Sequence, residues 1–424
     1  MKVGRRELLR GLATVLSSAA CRGGFAGLLD RAEPIALPPV RALTSGPRHH
    51  WFGYYDKREF DPSGRYVLGM EVSFEHRTPT ADDVITLGMV DLRAGDRWVA
   101  LGESHAWCWQ QGCMLQWLPG SKTEVIWNDR QDGRFVCHIL DVATRSRRTL
   151  PAPIYAISPD GRWAIAPDFR RLHYMRPGYG YAGIPDPGVD DKAPDDAGLW
   201  RLDLESGRID LLFSFATIAR LPGVEGVEID ATAKHWFNHL LVSPDGARFS
   251  FLHRWRGKAQ GTGFATRLIT ADADGTNPYV LDPHGKTSHY DWRDPRHILA
   301  FADHPSHGRR FYVYEDRSDR VEVVGPDVLT EDGHCTYLPF PDRRWILSDT
   351  YPDRDRLQHP HLYDAARGLK RPLGHFRSPP EYTGELRCDT HPRFSPDGRS
   401  VVIDSPHGGN GRQLYLIDIS SLVG

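Results

Sequence analysis

One short phrase recurs along the chain: Asp61-Pro62-Ser63-Gly64-Arg65, Ser158-Pro159-Asp160-Gly161-Arg162, Ser243-Pro244-Asp245-Gly246 and Ser395-Pro396-Asp397-Gly398-Arg399. Each copy runs straight into an alternating apolar segment such as Arg399-Ser400-Val401-Val402-Ile403. Proline presets φ, the aspartate bonds back to its own backbone, and glycine takes the positive φ before the segment begins, so the phrase is a turn that punctuates strands. Three degenerate copies complete the set: Leu118-Pro119-Gly120-Ser121, Asp294-Pro295-Arg296 and Phe340-Pro341-Asp342-Arg343. Every copy is followed by a second strand phrase ending in an acidic residue, from Met89-Val90-Asp91 to Leu416-Ile417-Asp418. Two such phrases per unit, repeated at intervals of tens of residues, are the signature of four-stranded sheets arranged radially. The expected fold is therefore all-β, a seven-bladed β-propeller with SPDG repeats.

The third interval is long: 85 residues separate Pro159 from Pro244. The excess lies in residues 177–197, a Gly/Pro/Asp stretch carrying Tyr179 and Tyr181, and an insertion of this kind in a compact repeat is usually a functional loop. With 40% hydrophobic and 25% charged residues the chain has ample material for a core. The net charge of -2 gives no global field to attract nucleic acid, so any anionic ligand must be met by local arginines.

Residues 1–35 read as an export signal and linker ahead of a propeller spanning 36–424. Met1 to Arg10 is basic, with paired Arg5 and Arg6 before Leu8 and Leu9, and a mildly apolar run follows, which resembles a twin-arginine signal. Cys21 after Ser18-Ala19-Ala20 is compatible with a lipoprotein cleavage site. The expectation is an exported protein, periplasmic or secreted, tethered if Cys21 is lipidated. No later stretch approaches the roughly 20 apolar residues of a membrane span. Setting Cys21 aside leaves five cysteines, too few and too odd in number to frame the fold as disulfides.

A propeller brings side chains from successive blades together around its axis, so polar residues at equal places in the repeats converge there. The segment from His49 to Lys57 packs His50, Tyr54, Tyr55 and a charged pair before the first turn. Ahead of the second turn stand Trp107, Trp109 and Gln111, with Asn128 after it; they suit stacking on and hydrogen bonding to a sugar, or equally an inter-blade wedge. Tyr155 and the run Asp168 to Tyr174, with Arg171 and His173, flank the third turn. The last four blades carry the histidines: His235, His239, His253 with Arg254, His289, His334 and His391 with Asp389. His239, His289, His334 and His391 all stand shortly before their blade's proline, so they point at one axis. Three or four imidazoles meeting there, with Asp389 or a thiolate nearby, would form a site for a divalent metal such as manganese, zinc or calcium.

These residues resemble those of the seven-bladed propeller polysaccharide lyases, the oligogalacturonate and ulvan lyases, over about residues 45 to 424, on a TolB-like repeat. His239, Phe251-Leu252-His253, His289-Tyr290-Asp291-Trp292 and His391-Pro392-Arg393 look like the oligogalacturonate lyase blades that hold its metal and its histidine base. The resemblance implies His289 and His391 as ligands, His334 as a further one, and His253 as the base. Tyr155 with Arg171 sixteen residues later has the spacing of the ulvan lyase centre, whose two preceding histidines are here replaced by Gln111 and Asn128. The implied activity is β-elimination on a uronic-acid-containing polysaccharide or oligosaccharide. Arg171 or a metal would neutralise the carboxylate, Tyr155 or His253 would be the base, and His173 or another tyrosine the acid. His50, Tyr54, Trp109, Gln111, Asn128, His239 and Arg254 would bind substrate. Two other classes remain open on the same scaffold: a non-catalytic glycan- or protein-binding propeller, and a glycoside hydrolase built on paired carboxylates among Asp168, Asp291, Asp349 and Asp389.

Overall fold

The computed structural model describes residues 36–222, 229 and 232–424, so the expected export signal and Cys21 lie outside the described residues. The described residues of 37–424 form one compact unit with seven four-stranded sheets, each antiparallel throughout, and a small two-stranded pair, Leu357–Gln358 with Phe376–Arg377. Blade one is His49–Trp51, Tyr66–Val72, Ile85–Asp91 and Arg97–Ser104, and blade two Gln116–Trp117, Glu124–Gln131, Arg134–Asp141 and Arg147–Leu150. Blade three is Ala156–Ile157, Trp163–Pro167, Gly198–Asp203 and Ile209–Ser214; blade four Lys234–Val242, Arg248–Arg256, Ala265–Asp272 and Tyr279–Asp282. Blade five is Tyr290–Asp294, His297–His304, Gly308–Glu315 and Val321–Val324; blade six Thr336–Tyr337, Trp345–Ser348, His361–Asp364 and Leu369–Pro372. Blade seven takes Arg393–Phe394, Ser400–Ser405 and Gln413–Asp418 from the end of the chain and its outer strand, Val40–Ala42, from the start. The ring is closed by that pairing.

All seven turn phrases fall between the first and second strands of their blades, as the repeat analysis requires. The SPDG copies share one mechanism. In blade three the Ser158 hydroxyl donates to Asp160 at 2.6 Å and accepts from the Trp163 amide at 3.1 Å, so the turn is wired to the strand it starts. Gly161 sits at φ 71°, where a side chain would also strike the Pro119 carbonyl of the neighbouring blade.

Antiparallel order places two kinds of loop on the face opposite those turns. One enters each first strand, and the other joins second to third strands. The histidines shortly before each turn, and the long insertion of blade three, therefore share a face. The insertion opens with a helix, Phe169–Met175, rather than the strand-end arginines expected; Asp168 caps it by accepting the Arg170 and Arg171 amides at 3.0 and 3.4 Å.

Blade seven is locked to blade one by a buried ion network. Arg393 donates Nε and Nη2 to the two oxygens of Glu59 at 3.0 and 3.1 Å, and Nη2 also reaches Asp404 at 2.7 Å. Asp404 in turn accepts the Phe52 and Gly53 amides. Removing one partner of a buried network leaves uncompensated charge, so Arg393→Ala should lower unfolding free energy by about 3–5 kcal/mol. Denaturant unfolding of the variant beside the wild type measures it; a change below about 1 kcal/mol would show the closure is held by strand pairing alone.

Candidate active site

The predicted convergence on the axis is present. His334 and His391 lie with ring centroids 4.2 Å apart, and His289 stands 4.2 Å from His334 on the other side. His334, Asp389 and His391 each offer one ligand atom, all within 4.8 Å of one another. Nε2 of both histidines and Oδ1 of Asp389 are buried without a hydrogen-bond partner. Three unsatisfied donor atoms at one buried point are costly unless something binds them, and two imidazoles with a carboxylate are the chemistry of a divalent transition metal. The residues present therefore fit a metal.

The other ring nitrogens are fixed by carboxylates. Asp349 takes the His334 Nδ1 proton at 2.9 Å and the His334 amide at 2.8 Å, and accepts from Thr390 Oγ1 at 2.6 Å. Asp332 holds His289 Nδ1 at 2.9 Å. Each carboxylate selects the tautomer that leaves Nε2 for the axis. Burial, then neighbouring His334, pushes the His391 and His289 pKa values below the usual imidazole range, which keeps their lone pairs free. His334 is raised instead: burial acts downwards, but Asp349 outweighs it. Asp349→Asn should therefore weaken metal affinity by about 10–100-fold without unfolding the blade, as titration of the metal into chelator-treated protein would show; unchanged affinity would mean that Asp349 is only a structural acceptor.

His239 occupies a bulge in the first strand of blade four at φ 52°, and His391 is at φ 39°. Left-handed non-glycine residues at two of the converging positions are strained backbone that turns the side chains inward. His239 joins the cluster differently from the others: its Nε2 meets Tyr55 Oη at 2.9 Å, and Tyr55 is further held by the Tyr290 backbone. Tyr54 packs edge-on against His239 and His391 at 5.2 and 5.4 Å, which places its ring in the cluster. A cleft of about 710 Å³ opens beside it, lined by Asp332, Tyr351, Arg309 and His359.

The insertion supplies the residue the sequence did not assign. Tyr179 Oη accepts from Arg387 Nη2 at 2.5 Å, and the Arg176 guanidinium lies 4.1 Å above its ring. Arg387 binds Asp389 through Nε at 2.5 Å, so Tyr179 is one residue removed from the histidine cluster. Burial raises the Tyr179 phenol, but Arg387 and then Arg176 outweigh it and bring the pKa to about 8. The only sequence signals were its place in the insertion and the motif Arg387-Cys388-Asp389.

Other expected site residues are committed elsewhere. Arg171 is 1% exposed and donates to the backbone carbonyls of His235, Gly188, Asp191 and Lys192 and to Asp186, so its guanidinium ties down the insertion and has no edge left for a substrate carboxylate. His253 is wholly buried: Nδ1 accepts from Arg267 Nε at 3.0 Å and Nε2 meets His235 Nδ1 at 2.8 Å, which occupies both nitrogens a base would need. Tyr155 lies near the axis but its hydroxyl accepts from Gln111 at 2.7 Å, Lys57 lies 4.4 Å over its ring, and no bond links it to Arg171. His173 sits in the last turn of the insertion helix, with its Nδ1 buried and without a hydrogen-bond partner.

Trp109 is the inter-blade wedge of the two readings: it packs on Trp51, Trp107 and Arg412, with its indole donated to the Arg77 carbonyl. Asn128 bridges to the backbone of Ile154 and to Tyr181, and His50 is held between Gln413 and Glu71. Arg254 stands 4.7 Å over Phe264, and its charge acts on Tyr54 and His239 of the cluster. Of the carboxylates considered for hydrolysis, Asp168 caps a helix and pairs with Arg170, Asp349 is taken up by His334 and Thr390, and Asp291 lines a cavity of about 620 Å³ at the turn face. No two of them form an open pair. Cys108, Cys113, Cys137, Cys335 and Cys388 are all buried free thiols.

No protein-family model matches this chain, and no curated protein matches it by sequence. Among solved structures it is similar to an oligogalacturonate lyase in complex with manganese, at 16% identity and TM-score 0.62, covering 90% of this chain and 93% of that one. An oligogalacturonate lyase from Vibrio parahaemolyticus is similar at 13% identity and TM-score 0.61, covering 89% and 93%. A prolyl endopeptidase structure also matches, at 10% identity and TM-score 0.52, with 90% of this chain on 49% of that one. At these identities the likeness is one of fold. No helix among the described residues is long and apolar enough to cross a membrane.

Proposed function

We propose that this protein is an exported polysaccharide lyase that cleaves a uronic-acid-containing glycan by β-elimination at a metal centre on the propeller axis. The observation that carries the reading is the set of three unsatisfied donor atoms on His334, His391 and Asp389, buried together next to a tyrosine held by two arginines. The fold likeness to lyases, one solved with manganese, supports it over the peptidase likeness, because the latter covers only half of its counterpart. Export rests on the paired Arg5 and Arg6 and the apolar run after them.

β-Elimination requires loss of the proton at C5 of a uronate, which needs its carboxylate neutralised, a base near operating pH, and an acid for the departing oxygen at C4. A divalent ion held by His334, His391 and Asp389, with His289 Nε2 as a fourth donor, would supply a Lewis acid for that carboxylate. Two imidazoles and a carboxylate suit manganese or zinc better than calcium, which prefers oxygen ligands alone. Tyr179 is the base: Arg387 and Arg176 stabilise its phenolate, so proton abstraction needs no strongly basic group. Tyr54 is the acid. Burial, then Tyr179, drives its phenol well above the usual range, so it holds its proton until the leaving oxygen takes it.

Incubation with a panel of polyuronates, followed at about 235 nm where the unsaturated product absorbs, tests the activity. A rise with at least one polymer is expected. A flat trace with all of them, from metal-loaded protein, would favour the non-catalytic reading.

A further inference from the structure

Arg176 and Arg254 come from different blades yet share one aromatic ring. Arg176 ends the insertion helix of blade three and Arg254 lies near the end of the second strand of blade four, both on the histidine face. Their guanidiniums stand 4.9 and 4.7 Å over Phe264. Nε and Nη1 of both are buried and have no hydrogen-bond partner. Arg254 is 5% exposed, so these orphan N–H groups have no ready access to water.

Bringing two cations together in a desolvated place, with N–H groups unpaired, is unfavourable on both counts. The strain shows in Arg254, whose pKa burial, and then the Arg176 charge, pull down to about 9. An anion with two oxygens would relieve both costs at once, since guanidinium edges match a carboxylate in shape and charge. Phe264, 39% exposed, offers beside them a face for the apolar side of a sugar ring. A continuous run of contacts leads from there to the metal ligands: Arg176 on Tyr179, Tyr179 on Arg387, and Arg387 on Asp389.

We infer that Arg176, Arg254 and Phe264 form a second, anion-binding subsite, which holds the carboxylate of the uronate adjoining the one that reacts. The inference rests on the lyase reading for the identity of its ligand. It deepens that reading by fixing the substrate class: at least two consecutive acidic sugars, as distinct from polymers in which uronates alternate with neutral sugars.

Binding of digalacturonate to chelator-treated protein, measured by calorimetry, tests the subsite without turnover. The wild type should bind it, and Arg254→Gln and Arg176→Gln should each weaken binding about tenfold or more, as loss of a charge-assisted contact predicts. The fully methyl-esterified disaccharide should bind as weakly to the wild type as digalacturonate does to the variants. Thermal unfolding confirms that the glutamine variants are folded. Digalacturonate affinity unchanged in both glutamine variants, equal affinity for the ester, or no binding to the wild type would each overturn the subsite. Failure of the lyase reading shows elsewhere, as the absence of product absorbance, and leaves this measurement interpretable.

Discussion

His391→Ala should yield a folded propeller that holds no stoichiometric divalent metal and forms unsaturated product at least about a thousandfold more slowly than the wild type. The size follows from the several kcal/mol that a Lewis acid contributes to a developing carbanion, at 1.36 kcal/mol for each factor of about ten. The variant should fold because His391 Nε2 has no hydrogen bond to lose within the chain. Elemental analysis and the rate at about 235 nm read the two halves separately. Chelator treatment of the wild type should reproduce the phenotype and added metal should reverse it, whereas the variant should not respond to metal at matched concentrations. A variant that keeps both its metal and its rate would remove His391 from the centre.

Tyr179→Phe should cost about 10²–10⁴-fold in kcat, the usual contribution of a positioned base, while leaving metal content unchanged. The pH profile carries the sharper signature. A base must be unprotonated to act, so kcat/KM of the wild type should rise with pH up to about 8, where the phenol loses its proton, and level above it. The phenylalanine variant should lack that limb, because no proton comes off its ring. Arg387→Lys should keep the charge but lose the paired contacts to Tyr179 and Asp389, and so shift the limb to higher pH. A Phe variant within a few-fold of wild-type kcat would pass the role of base to another group on the axis.

How far the sequence alone led depends on which physics is local. The blade count was legible because each turn needs its own proline, aspartate and glycine within five residues, and a degenerate copy such as Asp294-Pro295-Arg296 still sits between two apolar runs. Convergence of His289, His334 and His391 was legible for the same reason: equal places in successive repeats meet at the axis. Closure by Val40–Ala42 left no trace, since a lone three-residue edge strand has no pattern of its own. Roles that depend on what a side chain meets outside its own strand or helix were not legible. Arg171 looked like an uncommitted cation until the insertion folded back and filled its edges with carbonyls. His253 looked like a free imidazole until His235 and Arg267, on the two strands that flank it in blade four, took its two nitrogens. Tyr179 was hidden conversely: an irregular loop gives no register, and the guanidinium that meets its hydroxyl arrives from residue 387.

The proposed role of the histidine and aspartate cluster, a metal centre that serves elimination, demands that turnover depend on the ion. The measurement that meets it most directly is the absorbance at about 235 nm of oligogalacturonate incubated with chelator-treated protein, before and after addition of manganese. A flat trace that begins to climb on addition of the metal is the predicted result. A rate that chelation does not change, or a trace still flat in the metal-loaded protein, would contradict it.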